Sequence, residues 1–113
     1  MLTAAVPRID HLVSYLYWLT DAEISAAEPF AGWHADYTAR PSWGIDDAAR
    51  NAWHCRYFGE LMRESGVWVG PPAVVVLSGG RHRLRDGNHR VRAVQWLAKV
   101  WGVCVRVPVE VRE

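Results

Sequence analysis

The sequence predicts a small α+β domain in which helices pack on a small mixed sheet. Apolar residues recur at helical spacing in the first half of the chain. The second half has short runs of β-branched residues around a Gly-Gly turn. A chain of 113 residues, 50% of them apolar, has enough material for one core. We therefore expect one domain over residues 1–113, helical over 1–66 and strand-rich over 67–113.

Two helices are expected in the first half. The first begins near Pro7 and finishes around residues 21–27, with one apolar stripe: Ile9, Leu12, Val13, Leu16 and Leu19. Residues 29–43 contain glycine, proline and several aromatics, which favours an irregular connection. The second helix starts at Ile45 or Asp46 and ends at Gly66. Its predicted apolar face consists of Ala49, Trp53, Tyr57 and Leu61, with Phe58 and Met62 beside it.

The second half is expected to contain a hairpin. Residues 67–69 are predicted to form a short edge strand before Pro71 and Pro72. A buried strand then runs over residues 73–77 and ends at Ser78. Gly79 and Gly80 provide the positive φ angles of a tight turn, and residues 81–85 return as the partner strand.

A helix and a last strand are expected to complete this half. The helix is predicted from an N-cap at Asn88 to about Trp101, and Gly102 stops it. Its apolar positions are Val91, Val94, Leu97, Ala98 and Trp101. Valine then alternates with other residues over 103–111, which is typical of a half-buried strand.

The segment Asp86-Gly87-Asn88-His89-Arg90 combines a strand end, a tight turn and a helix start. Backbone N–H groups at a helix start point outward, and a glycine there lets an anion come close. Arg90 and His89 suit phosphate oxygens, while Asp86 suits Mg²⁺ or a hydroxyl group. Neither His89 nor Arg90 is needed for a turn, and the helix dipole disfavours cations there unless an anion is present. Asp86 and Asn88 have an alternative role as simple turn formers.

This segment resembles the signature of the ParB/sulfiredoxin superfamily. ParB-like members carry a Gly-Glu-Arg-Arg-aromatic-Arg-Ala box or an Asp-Gly-Asn-His-Arg box at this point. Residues 86–90 match the second form throughout, and the first form is matched by four residues: Gly87, Arg90, Arg92 and Ala93. The resemblance covers residues 67–113 and includes the order strand, hairpin, box, helix, strand.

The resemblance implies a domain that binds a nucleotide or another phosphate ligand, together with Mg²⁺. It also implies an NTPase or phosphotransferase, as in ParB-like CTPases and the related free-serine kinases. The implied catalytic residues are Asp86, His89 and Arg90. The implied phosphate-binding residues are Gly87, Asn88, His89, Arg90 and Arg92. Arg90 would neutralise developing charge, and Asp86 would hold Mg²⁺ or orient a nucleophile.

Two properties of the superfamily are not expected in this chain. Sulfiredoxin has a reactive cysteine directly after the glycine of its box, where this chain has Asn88. An amide cannot replace a thiolate nucleophile, so we expect no reductase activity. Partition proteins add a helix-turn-helix module and a dimerisation domain after this core, and neither follows here, so sequence-specific partition is not expected either.

The charges are unevenly divided along the chain. Residues 1–65 hold five basic and nine acidic residues, a net charge of −4, whereas residues 66–113 hold eight and three, a net charge of +5. An anionic ligand is therefore expected near the box. Arg81, Arg83 and Arg85 alternate along one strand face, where they would line a weak DNA path or only keep an edge strand soluble. His82 shares the other face with Leu84 and is expected to be partly buried.

A second class of function stays open at this point. The acidic half contains four tryptophans that would suit a protein interface: Trp18, Trp33, Trp43 and Trp53. Core packing is the simpler explanation for most of them. The alternative is a small phage or mobile-element binding protein that acts through protein or nucleic-acid contacts without catalysis.

Other chemistries have little support in the sequence. Trp53-His54-Cys55, with His34 and Cys104 elsewhere, lacks paired metal-ligand spacing, so we expect neither zinc nor haem. Cys55 and Cys104 are expected to be free thiols in a reducing compartment. No apolar run approaches the ~20 residues of a membrane span, and no export signal is evident at the start. We therefore expect a cytoplasmic protein without membrane contacts.

Overall fold

The computed structural model describes Leu16, residues 18–27 and residues 48–112. These residues form three helices and one three-stranded mixed sheet, which confirms the α+β class. The helices are α1 (Asp21–Ala26), α2 (Ala48–Ser65) and α3 (Asn88–Trp96), and α3 continues as a π-helical turn over Leu97–Trp101. The strands are β1 (Ala73–Ser78), β2 (Arg81–Asp86) and β3 (Val109–Arg112). None of these helices is long and apolar enough to cross a membrane.

The sheet has the order β2-β1-β3. β1 pairs with β2 in antiparallel fashion through the predicted hairpin, whose Gly79 and Gly80 have φ angles of +58° and +75°. Two successive positive φ angles define the tight turn whose twist matches paired strands. β3 pairs with β1 in parallel, and the connection from β2 to β3 runs through α3. The predicted hairpin and its partner strand are therefore confirmed.

The hairpin contains a β-bulge next to the box. Val75 pairs with Leu84, whereas Val74 pairs with Asp86, so Arg85 is the extra residue on β2. A bulge increases local twist and redirects side chains, and bulges are frequent beside functional sites. The polar end of β2 therefore departs from regular pairing at Arg85, three residues before α3 begins.

The last strand is shorter than predicted. Strand pairing covers only Val109–Arg112, although burial already alternates before it, with Val105 and Val107 buried and Arg106 exposed. The alternation of valine with other residues predicted the buried positions Val105, Val107 and Val109 correctly, but Val111 is exposed. The alternation does not fix where hydrogen bonding begins, because that depends on the length of β1, which pairs only from Ala73 onward.

The first helix does not run on to residues 21–27 as predicted. Thr20 takes an extended conformation and caps a separate helix, α1. The Glu23 N–H donates to Thr20 Oγ1 at 3.1 Å, and the Thr20 N–H donates to Glu23 Oε1 at 3.0 Å. This reciprocal capping box gives the backbone a local reason to start a new helix there. Leu16 and Leu19, both from the predicted stripe, are buried.

Some predictions for the first half lie outside the described residues. They are the start of the first helix near Pro7, the irregular connection over residues 29–43, and the start of the second helix at Ile45 or Asp46. The stripe positions Ile9, Leu12 and Val13 and the tryptophans Trp33 and Trp43 also lie outside the described residues. The predicted end of the second helix is confirmed. Gly66 has a φ of +74°, and its N–H donates to the Met62 carbonyl at 2.7 Å.

The core-facing side of α2 agrees with the predicted face only in part, since Tyr57 and Met62 are buried as expected. Ala52, Cys55 and Met62 belong to the core, whereas Trp53 and Leu61 are only half-buried. Gly59 lies on the core side, where a Cβ atom would come within 2.6 Å of Trp96 Cζ3. Small residues on this face let α2 approach α3 closely. The four-residue spacing of apolar side chains had predicted a different centre for this face.

Trp96 is the largest fully buried side chain among the described residues. Its Nε1–H donates to Ser25 Oγ at 2.8 Å, so it joins α3 to α1 as well as to α2. The predicted apolar positions Val91, Val94 and Leu97 are buried, but Ala98 and Trp101 are exposed. The π-helical turn adds a residue to that turn and rotates the following positions away from the core.

The predicted free cysteines are confirmed: Cys55 is buried and Cys104 exposed, and neither forms a disulfide. Burial raises the pKa of the Cys55 thiol to about 12. A thiol that holds its proton so firmly is a poor nucleophile. Cys55 is therefore a packing residue of the α2 core face.

Candidate functional site

Gly87 is the N-cap residue of α3, a position that was predicted for Asn88. Its φ of +90° is left-handed, a conformation that favours glycine. A Cβ atom there would also lie 3.3 Å from the Cα and Cβ atoms of Ala73 on β1. Glycine is therefore required at this position, as predicted. The helix starts from the backbone conformation of Gly87, and no side chain of the described residues caps it by a hydrogen bond. The glycine brings the helix start directly against the central strand.

Asn88 is the first residue of α3. Its Nδ2 group donates a long hydrogen bond of 3.4 Å to the Arg85 carbonyl, across the turn. Its Oδ1 atom is buried and accepts no hydrogen bond within the described part of the chain. A buried acceptor without a donor is costly, and in native proteins it calls for an explanation such as an ion, a water molecule or a ligand.

Polar side chains lie along the end of β2 that leads into the helix. Arg83, Arg85 and Asp86 are all exposed, and the bulge at Arg85 precedes the turn. His82 is exposed too, although its shared face with Leu84 had predicted partial burial. The hairpin tip extends beyond the core, so sharing a face with Leu84 does not cover His82. The Arg81 side chain lies outside the described atoms, so its predicted nucleic-acid contact stays a prediction.

His89 points toward α2. Its Nε2 lies 2.8 Å from Asn51 Oδ1, and since an amide oxygen only accepts, the imidazole is the donor. The ring also contacts His54, with 4.6 Å between the ring centroids. Burial lowers the pKa of His89 to about 4, so the imidazole is neutral at pH 7. In this arrangement His89 contributes a hydrogen bond between helices rather than a positive charge.

The guanidinium group of Arg90 lies between the start of α3 and residues 66–72, a segment that we call the strap. Its NH1 group donates to the carbonyls of Val69, at 3.1 Å, and Pro71, at 2.5 Å. Its Cζ atom lies 4.9 Å from the centre of the Trp68 ring. Its NH2 group lies 3.4 Å from the position a Cβ atom would take on Gly87. One face of the helix start is therefore occupied by a fixed cation.

The strap takes the place of the predicted edge strand over residues 67–69. It lies outside the sheet, and its Gly66 and Gly70 both have positive φ angles. Trp68 and Val69 pack partly against the core, and the Trp68 Nε1–H donates to the Pro71 carbonyl at 2.9 Å. Two carbonyls of this segment accept from Arg90 instead of from a neighbouring strand. The sequence showed only Val-Trp-Val shortly before two prolines, and that pattern does not reveal a partner 21 residues away.

Arg92 is buried and faces α1. Its NH2 group lies 2.9 Å from Asp21 Oδ1 and donates to the Leu19 carbonyl at 2.6 Å. These contacts tie α3 to α1 and use the charge internally. A phosphate role for Arg92 stays a prediction, and its observed contacts are structural.

The box thus divides into two groups of residues. Gly87, Asn88 and Arg90 lie together at the helix start, and Asp86 lies at the strand end just before it. His89 and Arg92 point to α2 and α1. Within the described residues no three His, Cys, Asp or Glu side chains cluster as metal ligands. Mg²⁺ held by Asp86 would therefore take its other oxygen ligands from phosphate groups and water.

Comparison of the chain with protein-family models, with curated proteins and with solved structures finds no match. The geometry of the site therefore carries the functional argument, together with the box resemblance.

The unfolding free energy is expected to fall as the pH is lowered from about 6.5 to about 4. His89 has a pKa of about 4 in the fold and 6.5 when unperturbed, so the unfolded chain binds more protons in that window. The loss attributable to His89 is at most about 3.5 kcal/mol, at ~1.4 kcal/mol for each pKa unit. Urea denaturation at several pH values should show that His89→Gln removes this slope. The control His82→Gln changes an exposed histidine and should keep it. An NMR titration that placed the His89 pKa near 6.5 would contradict the assignment.

Proposed function

We propose that this domain binds a nucleotide, with the phosphate groups at the start of α3. The observation that carries the proposal is the position of the Arg90 guanidinium, whose NH2 group lies beside the Gly87 backbone at the helix start. Helix starts carry partial positive charge, and an arginine there adds a full one. Both favour an anion at the same place, and a guanidinium matches phosphate geometry well.

Charge and hydrogen-bonding capacity around the box support the same proposal. Arg83 and Arg85 are exposed on the end of β2 that leads to the site. Asn88 Oδ1 adds an acceptor that is buried and has no donor within the described residues. Ionised phosphate oxygens only accept hydrogen bonds, so this atom suits a donor such as a ribose hydroxyl or metal-bound water. A nucleotide with Mg²⁺ has both phosphate acceptors and such donors.

The chemistry that we propose follows the resemblance of the box to ParB-like domains. Asp86 would hold Mg²⁺ or orient a nucleophile, and Arg90 would neutralise charge that develops on a transferred phosphoryl group. His89, neutral and bonded to Asn51, would hold the first turn of α3 in place rather than transfer charge. An NTPase or phosphotransferase in the cytoplasm is the activity we infer.

Arg90→Ala is expected to weaken nucleotide binding by about 1.5–3 kcal/mol, the range for charge-assisted hydrogen bonds. Arg90→Lys should restore only part, because an ammonium group cannot make two parallel contacts. Calorimetric titration of CTP, ATP, ADP and GTP, with and without Mg²⁺, measures the effect. Arg112→Ala is the control, because it removes an arginine of the opposite edge strand. Equal affinity of wild type and Arg90→Ala for every nucleotide would exclude the role.

The same substitution also tests how far Arg90 supports the fold. From the sequence, Arg90→Ala would leave the fold nearly intact. The guanidinium, however, donates to two strap carbonyls and lies over Trp68, so stability is also expected to fall, by roughly 1–2 kcal/mol. Affinities should therefore be compared at a temperature at which both proteins are folded, as monitored by circular dichroism.

A non-catalytic binding module is the second candidate, and one observation favours it. Trp18 is 77% exposed, which is unusual for so large an apolar side chain and typical of protein interfaces. Arg83 and Arg85 would add weak DNA contacts that decline steeply with salt. No binding of any nucleotide in the calorimetric set would favour this candidate.

A further inference from the structure

We infer that the strap is a positioning element of the phosphate site: it fixes the plane and direction of the Arg90 guanidinium that meets the ligand. This inference rests on the proposed function and adds residues that touch no ligand themselves. The residues concerned are Trp68, Val69, Gly70 and Pro71, none of which belongs to the box.

The contacts of Arg90 restrict its guanidinium in two ways. NH1 donates to two carbonyls, Val69 and Pro71, which fixes the direction of one nitrogen. Trp68 lies beneath Cζ at 4.9 Å from its ring centre, which fixes the plane. Trp68 is itself held, because its Nε1–H donates to the same Pro71 carbonyl at 2.9 Å. The guanidinium is planar, so holding one nitrogen and packing one face on a ring also fixes the direction of its other N–H groups.

Gly70 is the residue that lets the strap approach Arg90. A Cβ atom there would lie 2.8 Å from NH1, closer than real Cβ contacts come, and 3.6 Å from Cζ. The strap backbone therefore packs directly on the guanidinium with no side chain between them. Any side chain at this position would push NH1 away from its two carbonyl acceptors.

The opposite end of the guanidinium lies at the helix start. NH2 is 3.4 Å from the Cβ position of Gly87, so one guanidinium joins the strap to the N-cap of α3. An arginine side chain loses rotamer entropy when it is immobilised. In this domain Arg90 loses that entropy on folding, so phosphate binding does not carry the same entropic cost again. The strap thus raises affinity by preorganisation.

Two glycines of the strap provide a matched test. Gly70 and Gly66 have φ angles of +85° and +74°, so alanine strains the backbone similarly at both. Of the two, only an alanine at Gly70 would contact Arg90, since nothing lies within 4 Å of a Cβ atom on Gly66. With inorganic triphosphate as the probe, calorimetry should give at least about fivefold weaker binding for Gly70→Ala, and less than about twofold for Gly66→Ala.

A double-mutant cycle separates positioning from general damage to the fold. If the strap acts through Arg90, Gly70→Ala should have no further effect on triphosphate affinity in an Arg90→Ala background. Should Gly70→Ala not fold, Trp68→Leu takes its place in the same cycle. The Arg90 guanidinium protons should also give slowly exchanging NMR signals in wild type and Gly66→Ala, and lose them in Gly70→Ala.

The outcomes distinguish this inference from the function on which it rests. Triphosphate binding that Arg90→Ala abolishes, but that Gly70→Ala weakens no more than Gly66→Ala, would overturn the strap's role and leave the phosphate site intact. A wild-type protein that does not bind triphosphate would overturn both.

Discussion

Trp96→Ala is expected to lower the free energy of unfolding by about 3–5 kcal/mol, the range for removing a large buried aromatic side chain. Trp96 is fully buried, contacts α2 at Gly59 and donates to Ser25 on α1. Its loss would open a cavity where three helices meet, and α2 cannot easily close it. Domains of this size have about 5–15 kcal/mol in total, so this loss is a large fraction of the stability.

Urea denaturation followed by circular dichroism measures this loss. Trp101→Ala is the matched control, because Trp101 lies on the same helical segment but is 48% exposed. Trp101 lies under the Arg63 guanidinium, at 4.2 Å from Cζ to the ring centre, so a loss of roughly 1 kcal/mol is expected for it. Equal losses for the two variants would contradict the helical phase assigned to α3.

Asp21→Ala is expected to cost about 3 kcal/mol of unfolding free energy, the second large effect. Its carboxylate pairs with Arg92 at 2.9 Å, and the Arg92 side chain is only 10% exposed. Without Asp21, the buried guanidinium keeps the Leu19 carbonyl as an acceptor of its NH2 group but loses this counter-ion. A buried charge that loses its counter-ion costs more than the ion pair contributed.

The double variant Asp21→Ala with Arg92→Met tests that explanation. Methionine keeps the apolar volume of Arg92 and removes the charge, so the double variant should recover part of the stability lost in Asp21→Ala. Glu64→Ala, which changes an exposed acidic residue of α2, is the control and should be within about 0.5 kcal/mol of wild type. A double variant that is less stable than Asp21→Ala would contradict the buried-charge account.

Local signals in the sequence were sufficient for the hairpin and for two helix ends. Gly79 and Gly80 define the hairpin because two positive φ angles are needed, and the apolar run before them is the central strand. Gly66 and Gly102 mark helix ends for the same reason. Each of these features depends on one or two residues and their neighbours, so a single sequence carries them.

Features that depend on distant partners were missed. The π-helical turn over Leu97–Trp101 leaves Trp101 exposed, and nothing in the spacing of apolar residues indicates that turn. The core face of α2 is set by how closely α3 approaches Gly59. The capping box of Thr20 and Glu23 is the exception, because that local pattern was present and was overlooked.

The candidate site could be located from the sequence, but not the directions of its side chains. Gly87 with its positive φ and the helix start follow from the box. His89 points to Asn51 and Arg90 points to the strap because of residues 38 and 19–21 positions away. Residue type alone could not distinguish a phosphate-binding residue from one that holds two structural elements together, since arginine and histidine serve both purposes.

The central claim is that a nucleotide's phosphates bind at the start of α3, and amide NMR shifts test it most directly. CTP, ATP, ADP and GTP, each with Mg²⁺, should be titrated into the ¹⁵N-labelled protein. If the phosphates bind there, the largest amide shift changes should fall on Gly87, Asn88 and the strap residues Trp68 and Gly70. Arg90→Ala should reduce these changes. Shifts confined to other parts of the chain, or no shifts with any of the four nucleotides, would contradict the central claim.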